Sequence, residues 1–382
     1  SPGASPARIV LSGYYGFHNL GDEAILAAIV EQLRALDPTV QLTALSGDPA
    51  YTRARLGISA VHRLDLPGIA RAFAGADCFV SGGGSLLQDV TGLGSVPYYL
   101  GLVKLAQWMG LKTMFLGQGI GPLRHASSRM MVGAVARKAD VLAVRDAASR
   151  DLLARCGVEP GRIALTADPV LALSPAAPER VDALWSAIGL EAGRPVVAVA
   201  IRPWATWFER QLKAFSAVLA QQADAWGAQI LLLPFHRPDD DGLHEELAYC
   251  LATRPEGHRP HVATLQAPVE PEEMLGLLGR VDLLVGMRLH ALIMAATAAT
   301  PALGLVYDPK VTAFCQLAGF PTVESVTALE DSERLGELLA GMWERRAETR
   351  QALEGQQREW RAKALTNAEL ALDLARSAHA RS

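Results

Sequence analysis

Val281-Asp-Leu-Leu-Val-Gly-Met-Arg-Leu-His-Ala291 compresses one β-α junction into a short segment. The apolar run predicts a buried strand, the glycine ends it, and the alanine-rich pattern that follows predicts a helix. Arg288 and His290 stand two positions apart at that junction. A strand's carboxyl end that meets a helix N-terminus favours an anion, and the imidazole adds a proton donor. An Arg-x-His pair alone is a weak signal, because a histidine at a strand end is commonly packing. A second apolar run lies close by, Ala302-Leu-Gly-Leu-Val-Tyr307, and ends in Asp308-Pro309-Lys310. Two adjacent strand ends then offer a guanidinium, an imidazole and an ammonium to one crevice.

The same unit repeats outward from there. Strands are predicted at Arg8–Ser12, Gln41–Leu45, Asp77–Val80, Lys112–Gly117 and Asp140–Val144, with helical spacing between them. The stretch Asp168-Pro-Val-Leu-Ala-Leu-Ser-Pro-Ala-Ala-Pro178 is dense in proline and reads as an interdomain linker. The pattern restarts with strands at Pro195–Ala200, Ala228–Leu233, Val281–Val285 and Ala302–Val306. This alternation predicts an α/β fold of two doubly wound, mainly parallel domains facing a cleft. The expected domains are 1–175 and 176–345, followed by a helical tail, 346–382, rich in Ala, Leu, Glu and Arg. In such sheets ligands bind outside the carboxyl ends of the strands.

Composition narrows the class. The chain has 382 residues, 50% hydrophobic and 20% charged, which is globular with room for two domains. A net charge of -4 gives no bulk attraction to nucleic acid or to an anionic membrane. Cys78, Cys156, Cys250 and Cys315 are widely spaced and show no metal-ligand pattern, so buried reduced thiols and no metal site are expected. The opening residues Ser1–Arg8 lack the apolar core of a signal peptide. The uncharged run from Ala291 to Tyr307 contains Pro301 and reads as helix then strand rather than a membrane span. A cytoplasmic protein is expected. Peripheral contact with the inner face of a membrane stays compatible with this reading, since such docking leaves little trace in sequence.

Three glycine-rich loops fall at strand ends of the first half. Gly13-Tyr-Tyr-Gly-Phe-His-Asn-Leu-Gly-Asp-Glu-Ala24 joins the first strand to the first helix, where Asp22 serves equally well as a ligand contact or a helix cap. Its spacing is not the dinucleotide fingerprint. Ser81-Gly-Gly-Gly-Ser-Leu-Leu-Gln-Asp89 allows close approach to backbone and lacks the Gly-Lys-Ser/Thr of a Walker loop. Gly117-Gln-Gly-Ile-Gly-Pro122 is the third. Cations gather at other strand ends: Arg145, Arg202 beside Trp204 and Trp207, then Arg288 and Lys310 with His290. Each alone suits a surface ion pair, but together they describe a site for a small, multiply charged anion.

Together these motifs resemble the polysaccharide pyruvyl transferase family, in particular the bacterial branch that acts on N-acetylmannosamine in secondary cell-wall polymers. The residues that carry the likeness are Gly13–Ala24, Ser81–Ser85, Gly117–Pro122, Val144-Arg-Asp146 and Met287-Arg-Leu-His290, within a span from about Ile9 to about Phe320. The resemblance implies a glycosyltransferase-B-like fold with C-terminal helices returning to the first domain. It implies phosphoenolpyruvate as donor and a saccharide on a lipid diphosphate as acceptor. The product would be a 4,6-linked pyruvate ketal, formed with release of phosphate in cell-wall biogenesis and surface-layer anchoring. No metal or organic cofactor is implied.

The residue chemistry agrees. Arg145, Arg202, Arg288 and Lys310 are expected to hold the donor's carboxylate and phosphate, with His290 as general acid at its methylene carbon. Gly16, Asn19, Asp22, Gly83, Gly84, Asp89 and Gln118 are expected to face the acceptor, with Asp22 and Asp89 equally placed as a base. Two other readings compete. One is a type B glycosyltransferase that uses a nucleotide sugar; the other is a non-catalytic ligand-binding protein. Neither nucleic acid as a partner nor a particular oligomeric state is indicated.

Overall fold

The protein is described from a computed structural model covering residues 5–90, 94–255 and 257–379. The first four residues of the N-terminal segment and the last three of the tail lie outside the described residues. The chain divides into two compact units, Ser1–Leu173 with Glu359–Ser382, and Ser174–Arg358. The first division falls inside the proline-rich stretch, after a 3-10 turn at Pro169–Ala172.

The first unit holds a seven-stranded sheet: β1 (Arg8–Ser12), β2 (Gln41–Ser46), β3 (Ser59–His62), β4 (Cys78–Gly82), β5 (Lys112–Gln118), β6 (Val141–Val144) and β7 (Ile163–Leu165). Its order is β3-β2-β1-β4-β5-β6-β7, and every pairing is parallel. The second unit holds β8 (Val196–Ala200), β9 (Gln229–Leu232), β10 (Val262–Thr264), β11 (Leu283–Gly286), β12 (Ala302–Leu305) and β13 (Thr322–Val323). These too are all parallel, in the order β10-β9-β8-β11-β12-β13. Strand order therefore reverses twice, between β1 and β4 and between β8 and β11. These are the positions where a doubly wound sheet opens a crevice at its carboxyl edge.

Central strands such as β8 (Val-Val-Ala-Val-Ala) are buried along their whole length. Helices on both faces demand the continuous apolar runs that made these strands legible. The four strands not foreseen, β3, β7, β10 and β13, are the outer strands of the two sheets. They are short and only partly buried, so they carry no long apolar run.

The last helix, Arg346–His379, begins where the helical tail was expected. Its first part belongs to the second unit, where Arg350 donates to the Val281 carbonyl (3.1 Å) and Gln357 to the Thr297 carbonyl (2.7 Å). Its later part belongs to the first unit. There Arg361 donates to the Ala172 carbonyl (3.0 Å), and the buried Asn367 accepts from Thr166 (2.8 Å) and donates to the Ala167 carbonyl (2.9 Å). The apolar run from Ala291 resolves into the helix Leu289–Thr297 and β12. Among the described residues no helix is long and apolar enough to cross a membrane.

Candidate active site

In the second unit, chemistry-bearing residues collect where β8, β11 and β12 end side by side. Arg202 follows β8. Arg288 follows β11 and occupies the N-cap position of the helix Leu289–Thr297, with His290 in that helix's first turn. Tyr307, Asp308 and Lys310 follow β12, and Asp308 caps the helix Pro309–Ala318 by accepting from the Lys310 amide (2.9 Å). Two helix N-termini thus meet one sheet edge, and the positive ends of their dipoles favour anions. A lysine in a helix's first turn opposes the helix dipole by about 0.3–1 kcal/mol, so Lys310 does not serve its own helix.

Arg202 donates to the Tyr307 hydroxyl (3.2 Å), and its guanidinium lies 4.9 Å from the Tyr307 ring and 5.5 Å from that of Trp204. Trp204 meets Tyr307 edge-to-face at 4.8 Å, and the Lys310 ammonium lies 5.7 Å from the same ring. Since β11 lies between β8 and β12, the Arg202–Tyr307 bond spans the end of β11, from which Arg288 and His290 emerge. Nε of Arg202 is buried and has no hydrogen-bond partner among the described residues. A buried guanidinium nitrogen left so is costly, and an anionic ligand would relieve it. A cavity of about 490 Å³ opens beside this cluster, lined by Trp204, Tyr307, Asp308, Pro309, Glu324 and Ser325.

Arg288 is held from behind by a residue that sequence reasoning missed. The Asp240 carboxylate accepts from Arg288 Nε (3.0 Å) and pairs with Nη2 as well, which fixes the plane of the guanidinium. Asp240 is fully buried and also accepts from the amides of Phe235 (3.2 Å) and His236 (3.1 Å) in the turn after β9. His244, one turn further on, joins this support. Its Nδ1 lies 2.8 Å from the Asp240 carbonyl, and its Nε2 accepts from the Ile201 amide (3.4 Å). Burial pushes the His244 pKa down, against smaller opposing contributions from Asp240, and keeps the ring neutral. The available signal was the polar run His236-Arg-Pro-Asp-Asp-Asp241 at a strand end.

The first unit has a different edge. Gly16, Gly83 and Gly84 adopt the left-handed backbone that glycine alone takes cheaply (φ 79°, 75° and 73°). The Gly16 amide donates to Glu23 (2.6 Å), and a methyl group at Gly84 would stand 3.2 Å from Asp22. Asn19, not Asp22, is the helix cap, accepting from the Gly21 amide (3.1 Å). Asp22 and the Gly83–Gly84 turn therefore come together at the reversal between β1 and β4.

Gln118 is fully buried. Its oxygen accepts from Ser81 (3.2 Å), and its nitrogen has no partner among the described residues. The Asp89 carboxylate is occupied by the amides of Arg124 (2.8 Å) and His125 (2.9 Å). Burial raises its pKa, but those amides and the Ser128 hydroxyl outweigh burial and hold the carboxyl below its usual range. Asp89 thus braces a loop as a fixed anion, whereas Asp22 stands at the Gly83–Gly84 turn.

Arg145, also expected to hold the donor, has partners of its own within the protein. It lies in the first unit, nearly buried, bonded to Asp168 (3.0 Å) and Ser85 (3.1 Å) and packed against Gly119. Its charge is matched internally, and it ties the second and third glycine loops together. Arg202, Arg288 and Lys310 share the second unit with His290. A further feature of the first unit escaped sequence reading because it follows the edge strand β3. The Arg63 guanidinium lies 4.2 Å from the Tyr98 ring and 5.3 Å from that of Phe17, which stacks on Tyr14 at 4.2 Å.

Comparison with solved structures places the whole chain in one fold. Anabaena Alr3699/HepE in complex with UDP-glucose matches at a TM-score of 0.62 and 12% identity, over 97% of this chain and 99% of that one. UDP-GlcNAc 2-epimerase from Neisseria meningitidis, bound to UDP-GlcNAc, matches at 0.65 and 10%, over 96% and 100%. A glycosyltransferase from Rickettsia africae matches at 0.63 and 10%, over 96% and 98%. The likeness shows the fold, two parallel-sheet α/β units of the glycosyltransferase-B type, and no more. The model of one family, described as polysaccharide pyruvyl transferase, matches residues 19–309, a span that runs from Asn19 in the first glycine loop past Arg288 and His290 to the start of the Lys310 helix. The chain therefore belongs to the polysaccharide pyruvyl transferase family and is a transferase.

Proposed function

We propose that the protein transfers pyruvate from phosphoenolpyruvate to a sugar and forms a cyclic ketal across two hydroxyls. The observation that carries this reading is the convergence of Arg202, Arg288, His290 and Lys310 on three adjacent strand ends, with a buried guanidinium nitrogen left open. Phosphoenolpyruvate carries a carboxylate and a phosphate on three carbons, so it needs several cations at close range. Arg288, with its plane fixed by Asp240, suits one of these groups in paired hydrogen bonds. Arg202 and Lys310 suit the other.

In the reaction His290 donates a proton to the methylene carbon while a sugar hydroxyl adds to C2 and gives up its own proton. The C–O bond to phosphate then breaks with its electron pair. The second hydroxyl captures the resulting oxocarbenium-like centre and loses its proton. Diol and phosphoenolpyruvate become ketal and phosphate, with atoms and charge balanced. Asp22 is the carboxylate we assign as base, with Gly16, Gly83, Gly84, Asn19 and Gln118 as acceptor contacts.

The acceptor we favour is N-acetylmannosamine of a lipid-linked cell-wall precursor, bridged at O4 and O6, modified on the cytoplasmic side and without a metal or organic cofactor. A nucleotide-sugar donor is the competing reading, since the Anabaena and Neisseria structures hold UDP-glucose and UDP-GlcNAc. Thermal shift separates the two. Stabilisation by phosphoenolpyruvate and none by uridine nucleotides supports pyruvyl transfer, and the reverse overturns it.

A further inference from the structure

From Val90 to Ala139 the chain contains no Asp or Glu, yet it holds Lys104, Lys112, Arg124, Arg129, Arg137 and Lys138, within a protein of net charge -4. This run includes two helices, Ser95–Trp108 and Ala126–Ala136, which pack side by side in the first unit. Gln107 of the former reaches the Val135 carbonyl of the latter (3.3 Å). The residues these helices turn outward recur at helical spacing: Pro97, Gly101, Lys104 and Trp108 on one, Ser127, Met130, Met131 and Ala134 on the other. Trp108 is 83% exposed and Met130 74%.

A tryptophan and a methionine held in water forfeit burial free energy, and neither is needed by the core beneath. Leu100, Val103, Val132 and Val135 fill that core from the inner faces. Among the six cations only Lys112 has a carboxylate partner among the described residues, Asp140 at 2.9 Å. The side chains of Arg129 and Arg137 bond backbone carbonyls instead, which leaves their charge uncompensated.

We propose that this two-helix face docks the protein onto an anionic lipid bilayer. Trp108 and Met130 would enter the headgroup–acyl boundary, and Lys104, Arg124, Arg137 and Lys138 would sit over the lipid phosphates. Exposed tryptophan with flanking Lys and Arg is the combination that interfacial anchoring uses. Each Lys or Arg near an anionic surface contributes about 1 kcal/mol, and this attraction is short-ranged and screened by salt. A second copy of the chain would present the same uncompensated positive charge, so self-association through this face is disfavoured.

The test is co-sedimentation of the purified full chain with vesicles of phosphatidylcholine alone and of phosphatidylcholine mixed with phosphatidylglycerol. Binding should require phosphatidylglycerol and weaken as salt rises. Lys104→Glu with Lys138→Glu should lower partitioning at least ~30-fold, the equivalent of about 1 kcal/mol for each charge removed. Trp108→Gln with Met130→Gln should lower it separately, and all four substitutions lie on the surface. Equal binding to both vesicle types, no binding at low salt, or wild-type binding by both double variants would overturn the proposal. So would an oligomer in size-exclusion chromatography that Trp108→Gln dissolves while vesicles are ignored. Vesicle binding is read without donor or acceptor, so its failure leaves the pyruvyl-transfer reading standing, and the converse holds.

Discussion

The two sheets reverse strand order in the same way and then diverge in chemistry. At the β1/β4 reversal the edge is made of backbone, with Gly16, Gly83 and Gly84 at positive φ and the acidic pair Asp22 and Glu23 beside them. At the β8/β11 reversal it is made of side chains, with Arg202 and Lys310 beside Tyr307 and with Arg288 and His290 at the neighbouring end of β11. Topology fixes where a ligand sits, and the side chains at that place decide what it is. A glycine edge with carboxylates suits a neutral, hydroxyl-rich molecule. A cationic edge at two helix N-termini suits a small polyanion.

The comparison breaks most visibly at His290. His290→Gln should cut phosphate release by about 100- to 10,000-fold while leaving the donor KM nearly unchanged. Near-normal turnover would remove the proton donor from the cationic edge. Next comes Asp240→Ala, which strands Arg288 without its carboxylate. Breaking such a buried pair from one side costs roughly 3–5 kcal/mol, measured as a lower urea midpoint, and the donor KM should rise as Arg288 loses its fixed plane. Gly84→Ala sharpens the comparison from the other side. Left-handed backbone costs a non-glycine residue about 1–2 kcal/mol, and the new methyl group would crowd Asp22. Acceptor KM should increase and donor KM should hold. A change in donor KM instead would mean that the two edges do not divide the substrates.

The smallest effect concerns pH. Burial depresses the His244 pKa, so the folded protein resists a proton that the unfolded chain accepts below about pH 6.5. The stability that neutral His244 contributes is fully present above that value and declines as pH falls below it. Urea midpoints should drop between about pH 7.5 and 5.5, and His244→Gln should flatten the slope. An unchanged slope in the variant would place the acid sensitivity elsewhere.

Much of this was legible in the sequence, and the remainder fails for physical reasons. The central strands announced themselves because burial on both faces requires unbroken apolar runs, and a glycine or charge at each carboxyl end marked the loops. The edge strands β3, β7, β10 and β13 are half-solvated and carry no such run. Missing β3 also hid Arg63 and its aromatic box. Arg288 and His290 were visible from local pattern, but Asp240 lies 48 positions away, and only the pairing of β8 with both β9 and β11 brings it behind the guanidinium. The partner of Arg145, Asp168, was hidden for the same reason, since local pattern shows a strand-end arginine but not the distant carboxylate it meets.

Under the proposed reading, the cationic edge captures phosphoenolpyruvate for ketal formation. Mass spectrometry of a sugar acceptor incubated with the protein, with and without phosphoenolpyruvate, tests it most directly. The acceptor should gain the mass of a pyruvate ketal only when phosphoenolpyruvate is present, with phosphate released in equal amount and both lost in His290→Gln. An acceptor that gains a sugar from a nucleotide donor, or a ketal formed undiminished by His290→Gln, would contradict it.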